Sequence, residues 1–137
     1  MSYHFTKTVP GTLAEVKDRV VARLAEEGFG VLTEIDVQQT LKKKLDVDFR
    51  PYRILGACNP KMAYQALQAE DKIGTMLPCN VIVQLRDDGK TEISAVDPIA
   101  SMAAIENPQL GDIANQVRDM LKSVVDTIGE KQTAAAS

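Results

Sequence analysis

Glycine and proline cut this chain into short segments, and within most of them the spacing of apolar residues fits one kind of regular structure. The 8 glycines and 6 prolines fall almost entirely at the boundaries between those segments. Tyr3 to Val9 reads as a strand, closed by Pro10-Gly11. Thr12 to Glu15 makes a capping box, in which the Thr12 hydroxyl accepts from the Glu15 N–H and the Glu15 carboxylate reaches back. The helix behind it carries Leu13, Val16, Val20 and Leu24 at helical spacing and stops at Gly28, suited to the left-handed position that follows a helix. Phe29 to Val37 alternates, which predicts Phe29, Val31, Thr33, Ile35 and Val37 on one face with Glu34 and Asp36 on the other. Gln38 to Asp48 is polar and lysine-rich, with room for one or two helical turns.

Pro51 opens a third strand, Tyr52 to Ala57, in which the adjacent apolar pair Ile54 and Leu55 predicts cover on both faces. Asn59-Pro60 has the form of an N-cap with proline at the first helical position, and a short helix should run to about Glu70. Asp71 to Leu77 has no period. Cys79 to Arg86 alternates with Val81, Val83 and Leu85 inward. Asp88-Gly89 signals a two-residue hairpin, Lys90 to Val96 returns, and Asp97-Pro98 ends it. Asn107-Pro108 repeats the cap, and the last helix places Leu110, Ile113, Val117, Leu121, Val124 and Ile128 on one stripe before Gly129. The order is strand, long helix, four strands, long helix. It predicts an α+β domain over residues 1–129, a mostly antiparallel sheet with two long helices on one face, and a flexible tail over 130–137.

Composition narrows the function. A chain of 137 residues with 45% apolar and 26% charged residues is an ordinary single globular domain. The formal net charge of −3 and the few scattered aromatics argue against nucleic-acid binding. No apolar run approaches the ~20 residues of a membrane span. The opening MSYHFTKTVPG has no apolar core of a secretory signal, so the cytoplasm is the expected location, with both cysteines as thiols. No P-loop, G-x-G-x-x-G, G-x-S-x-G or H-E-x-x-H motif occurs, and no cofactor is expected.

The run Tyr52-Arg53-Ile54-Leu55-Gly56-Ala57-Cys58-Asn59-Pro60 resembles the signature of the DUF302 family, small prokaryotic proteins of unknown function. The resemblance extends to Phe29-Gly30-Val31-Leu32-Thr33-Glu34-Ile35, Lys44-Leu45, Pro78-Cys79-Asn80-Val81 and Asp97-Pro98, and spans nearly the whole chain to Gly129. It implies a TBP-like α+β fold in the order already read. It implies no established activity.

One candidate site emerges. Cys58 stands just before the expected cap Asn59, where unpaired N–H groups and the helix dipole favour negative charge and a reactive thiolate. If the third and fourth strands pair antiparallel, Cys58 ends one where Cys79 begins the next, at one sheet edge. A parallel crossover would separate them. The plain alternative is that both are small buried hydrophobes. C-x20-C is not a redox motif, and two thiolates make a poor structural zinc site. His4 reads as a surface residue.

Lys42, Lys43 and Lys44, with Arg50 and Arg53, form the main basic cluster. Either it is a solvated segment offset by Asp46 and Asp48, or Lys44, within the family-like stretch, is an anion partner beside Cys58. Glu34 and Asp36, about 7 Å apart by strand rise, read as a polar edge without a nucleophile between them. Ile73, Met76, Leu77, Met102 and Ile105 lie in connections, where they plug the core, make a dimer contact or form the lip of an apolar pocket. The leading expectation is a module binding a small molecule or anion through Lys44, Cys58, Asn59, Cys79 and Asn80. The alternative is a thiol-dependent enzyme or redox carrier with Cys58 as nucleophile and Cys79 as resolving thiol. A homodimer is a third possibility, and neither nucleic acid nor membrane is an expected partner.

Overall fold

Caps and turns place the elements where the sequence signals them. The computed structural model describes residues 2–129; the tail expected over Glu130–Ser137 lies outside them. The order is β1 (His4–Val9), α1 (Leu13–Glu26), β2 (Gly30–Asp36), α2 (Val37–Leu45), β3 (Tyr52–Cys58), α3 (Pro60–Ala69), a 3-10 helix (Asp71–Met76), β4 (Cys79–Leu85), β5 (Thr91–Val96), α4 (Pro98–Ser101) and α5 (Pro108–Thr127). The Thr12–Glu15 capping box is formed, and the side chains of Asn59 and Asn107 accept from the Met62 and Gln109 N–H groups in the first turns of α3 and α5. Such caps contribute about 0.5–2 kcal/mol each. Gly28 and Gly89 take φ of +88° and +83°, which β-carbon-bearing residues rarely adopt.

The five strands form one antiparallel sheet in the order β1-β5-β4-β3-β2. Leu55, Ala57, Val81, Val83, Ile93 and Ala95 face Val16, Val20 and Leu24 of α1 and Val117, Leu121 and Val124 of α5 in a single core. Each large side chain buried there stabilises the fold by about 1.5–3 kcal/mol. Lys7 on β1 donates to the carbonyls of Asp126 (2.9 Å) and Ile128 (3.1 Å), which the end of α5 leaves without helical partners. Among the described residues no helix is long and apolar enough to cross a membrane.

Two strand expectations are corrected. The register of β2 against β3 shifts between Val31 and Thr33, leaving Leu32 as an extra, exposed residue. Side chains alternate with a period of two, so one extra residue reverses the facing of everything after it. Val31 opposes Ala57 on the helix side, but Thr33 opposes Gly56 and Ile35 opposes Ile54 on the other face. Glu34 and Asp36 therefore share the face of Leu55 and Arg53. The second correction concerns β3. Leu55 is fully buried, while Ile54 is only half-buried on the face away from the long helices. The strand is interior in the sheet, fully covered on the helix side at Leu55 and Ala57 and only partly covered at Ile54 on the other face.

Candidate functional site

β3 and β4 pair antiparallel, with Ala57 opposite Cys79. Cys58 thus ends β3 at the edge where Cys79 begins β4, as the antiparallel alternative required. The chain between them does not turn tightly. It rises as α3 and the 3-10 helix, and α3 packs on α5 rather than on the sheet. Between this layer and the sheet end lies a cavity of about 350 Å³.

Small residues keep it hollow. Ala57 from β3, Ala63 and Ala66 from α3, Gly74 from the 3-10 helix and Ala114 from α5 all face it. Cores normally close to crystal-like density, and larger side chains at these positions would fill the space. Met62, Leu77, Met102 and Ile113 complete much of the wall, with Phe29 and Leu32 at the β2 side. No charged side chain lines it. Leu77 and Met102 are thus pocket wall, whereas Ile73, fully buried, plugs a small second core beneath them with Ala66 and Leu110. Met76 is exposed.

Both cysteines are free and both line the cavity. Cys79 is buried, and burial, followed by the neighbouring Cys58, pushes its thiol up to about 11. It stays protonated at neutral pH, which works against a resolving-thiol role. Cys58 is half-buried. The Asn59 side-chain oxygen accepts from the Met62 N–H at 3.3 Å, and its Nδ2 donates to the Glu27 carbonyl at 3.5 Å. Asn59 therefore caps α3 and ties it to the end of α1.

Lys44 and Asn80 are not brought to the cavity. β2 runs antiparallel to β3 and delivers α2 at the Arg53 end, since Asp36 opposes Arg53. Five residue steps of strand separate Arg53 from Cys58, about 17 Å at strand rise. The expectation of Lys44 beside Cys58 is corrected on that ground, and neighbouring Lys42 pairs with Asp46 (3.0 Å) and Asp48 (3.5 Å). Asn80 opposes Gly56, one residue out of phase with Cys79, and is exposed. Of the five sequence candidates, Cys58, Asn59 and Cys79 converge. Met62, Ala66 and Ala114 escaped the sequence reading. Their only signal was a small or flexible residue on an inward helix face.

The far end of the same two strands is ionic. Lys17 of α1 lies 3.0 Å from Glu34, and Arg53 bonds Glu34 and approaches Asp36 at 3.4 Å. The hydrogen bond from Lys17 chiefly, with Arg53 helping and partial burial opposing, holds the Glu34 carboxyl below the usual carboxylate range. His4 sits at the start of β1, with its Nδ1 2.6 Å from the Thr6 hydroxyl. Among the described residues no group of three or more His, Cys, Asp or Glu is placed to hold a metal ion.

Comparison with known proteins places these features in context. The profile of DUF302, a domain of unknown function, matches residues 5–128. The chain is 31% identical to an uncharacterized conserved DUF302 protein from Bacillus stearothermophilus, whose crystal structure superposes with a TM-score of 0.87 over 93% of this chain and 99% of that one. No curated protein matches.

Proposed function

The chain belongs to the DUF302 family, and from that premise we propose that it binds a small, uncharged, largely apolar molecule in the cavity between the β3–β4 edge, α3 and α5. One observation carries this reading: a hollow of about 350 Å³ whose lining includes no charged side chain. Ligand sites are concave and mostly apolar with few polar groups, and atoms lining an empty hollow forgo dispersion contacts that an occupant restores. At about 30 Å³ per non-hydrogen atom, the share of a liquid water molecule, the space suits about a dozen such atoms. The small-molecule half of the sequence expectation gains support. The anion half loses its partner, because Lys44 lies at the opposite end of the strands.

Thermal melting with matched pairs of neutral and anionic ligands, such as decanol and decanoate, tests the reading. A ligand selective for the native state raises the melting temperature with concentration. The neutral member should raise it more, and Ala114→Leu, which puts a larger side chain into the hollow, should remove the rise. No rise with any neutral compound, or an equal rise in the Ala114→Leu chain, would overturn it.

A further inference from the structure

Sulfur gathers at this cavity. Six side chains among the described residues carry it: Cys58, Cys79, Met62, Met76, Met102 and Met120. Four of them, Cys58, Cys79, Met62 and Met102, line the hollow, and the Met120 sulfur lies 3.9 Å from Nδ2 of Asn59 in its wall. Only Met76 stands apart. The wall has no carboxylate and no imidazole, and the side-chain oxygen of Asn59 is engaged in the helix cap. Hard cations want oxygen ligands. Thiolates and thioethers select soft ions, copper(I) first among the biological ones.

Cys79 strengthens the case. Its side chain is 8% exposed and borders the cavity, and its thiol has no hydrogen-bond partner among the described residues. Cys58 is one residue out of phase with Ala57, the register partner of Cys79, but it stands at the strand end, borders the same cavity and is an electrostatic neighbour of Cys79. Met62 lies in the first turn of α3, its N–H bound to the Asn59 cap. We propose that Cys58, Cys79 and Met62 bind one soft monovalent ion of the copper(I) class at the sheet end of the cavity. The inference goes beyond the small-molecule reading and does not depend on it.

Each ligating thiol exchanges its proton for the ion: the S–H bond breaks, an S–Cu bond forms and the proton passes to solvent. Copper stays in the +1 state and no electron is transferred. Two thiolates and one Cu(I) leave one net negative charge, beside the N-terminus of α3, whose partial positive charge favours it.

The test is anaerobic competition between the full-length protein and the chelator bathocuproine disulfonate for one equivalent of Cu(I). The protein should withdraw one ion per chain. Cys58→Ser and Cys79→Ser should each weaken retention by more than the ~100-fold that outer-shell changes alone reach. Met62→Leu should weaken it less, and Met76→Leu should leave it unchanged. If Cys79→Ser fails to fold, the half-buried Cys58→Ser and Met62→Leu still decide the matter. Copper left wholly on the chelator, wild-type retention by Cys58→Ser, or one ion shared by two chains in sedimentation would overturn the proposal. Uptake of neutral apolar ligands without copper would sink this inference and leave the preceding one standing.

Discussion

The two ends of β3 are closed in opposite ways. At its start Arg53 meets Glu34 and Asp36 of β2, and Lys17 joins them from α1. At its finish Ala57 and Cys58 border a hollow without a charged side chain. What differs is the layer above. The ionic side chains remain between about a fifth and a third exposed, so they keep much of their hydration and gain modestly from pairing. Over the other end, α3 and the 3-10 helix reduce access to water. A charge brought there would lose its solvation without a partner, and apolar and sulfur groups line it, with the amide of Asn59 as the one polar side chain. Depth of cover, rather than the strand itself, decides which chemistry each end holds.

The largest predicted effect falls on the residue between the two ends. A β-carbon on Gly56 would collide with the Thr33 side chain and come within 2.8 Å of Pro78 Cγ. Gly56→Ala should destabilise by about 1–3 kcal/mol, the usual range for overpacking, read from urea unfolding midpoints. Adding Thr33→Ala should recover part of the loss. A Gly56→Ala chain as stable as the parent would mean that the two ends are not held apart by this close approach.

Filling the hollow should act in the opposite direction. Ala114 is 4% exposed and faces the cavity. Ala114→Leu should raise stability by about 0.5–2 kcal/mol, as cavity-filling changes do, while removing ligand binding. Lower stability on calorimetry would show that the space is already used.

The ionic end should respond less, and with pH. Glu34→Gln should cost no more than about 1 kcal/mol at pH 7. Because the folded carboxyl is held below its ordinary range, its contribution is complete above the unfolded pKa and disappears as pH falls through the folded value. Parent and variant melting temperatures should therefore converge in acid. A gap that persists at pH 2 would show that Glu34 acts by shape rather than charge.

The last effect is silent at neutral pH and concerns Cys79, whose thiol is raised to about 11. Its contribution is intact below the ~8.5 of an ordinary thiol and is lost as pH climbs toward 11. In native protein at pH 8, iodoacetamide should label Cys58 well ahead of Cys79, as peptide mass spectrometry would show. Equal labelling would mean that water reaches the floor of the cavity, and the contrast between the ends would fail.

Parts of this arrangement were legible in the chain. The Thr12 box, the Asn59 and Asn107 caps and the Asp88-Gly89 turn occur where their residues announce them, because each acts within a few neighbouring residues. The meeting of Cys58 and Cys79 was legible only as a condition on strand direction. The Leu32 bulge was hidden by continued apolar alternation through Thr33, Ile35 and Val37, which looks the same whether or not a residue is inserted. Lys44 was misplaced for a related reason. Its closeness to Cys58 in sequence says nothing about which end of β3 receives α2.

The sequence by itself determined the order of elements, their caps and turns, and the face each helix buries. Those choices rest on local hydrogen bonds and on periods of two and 3.6 residues. Only the tertiary structure decided the antiparallel pairing that joins Cys58 to Cys79, the reversal of β2 beyond Leu32 and the hollow under α3. These depend on contacts between segments far apart in the chain, where one extra residue turns a face over and a few alanines leave a space unfilled.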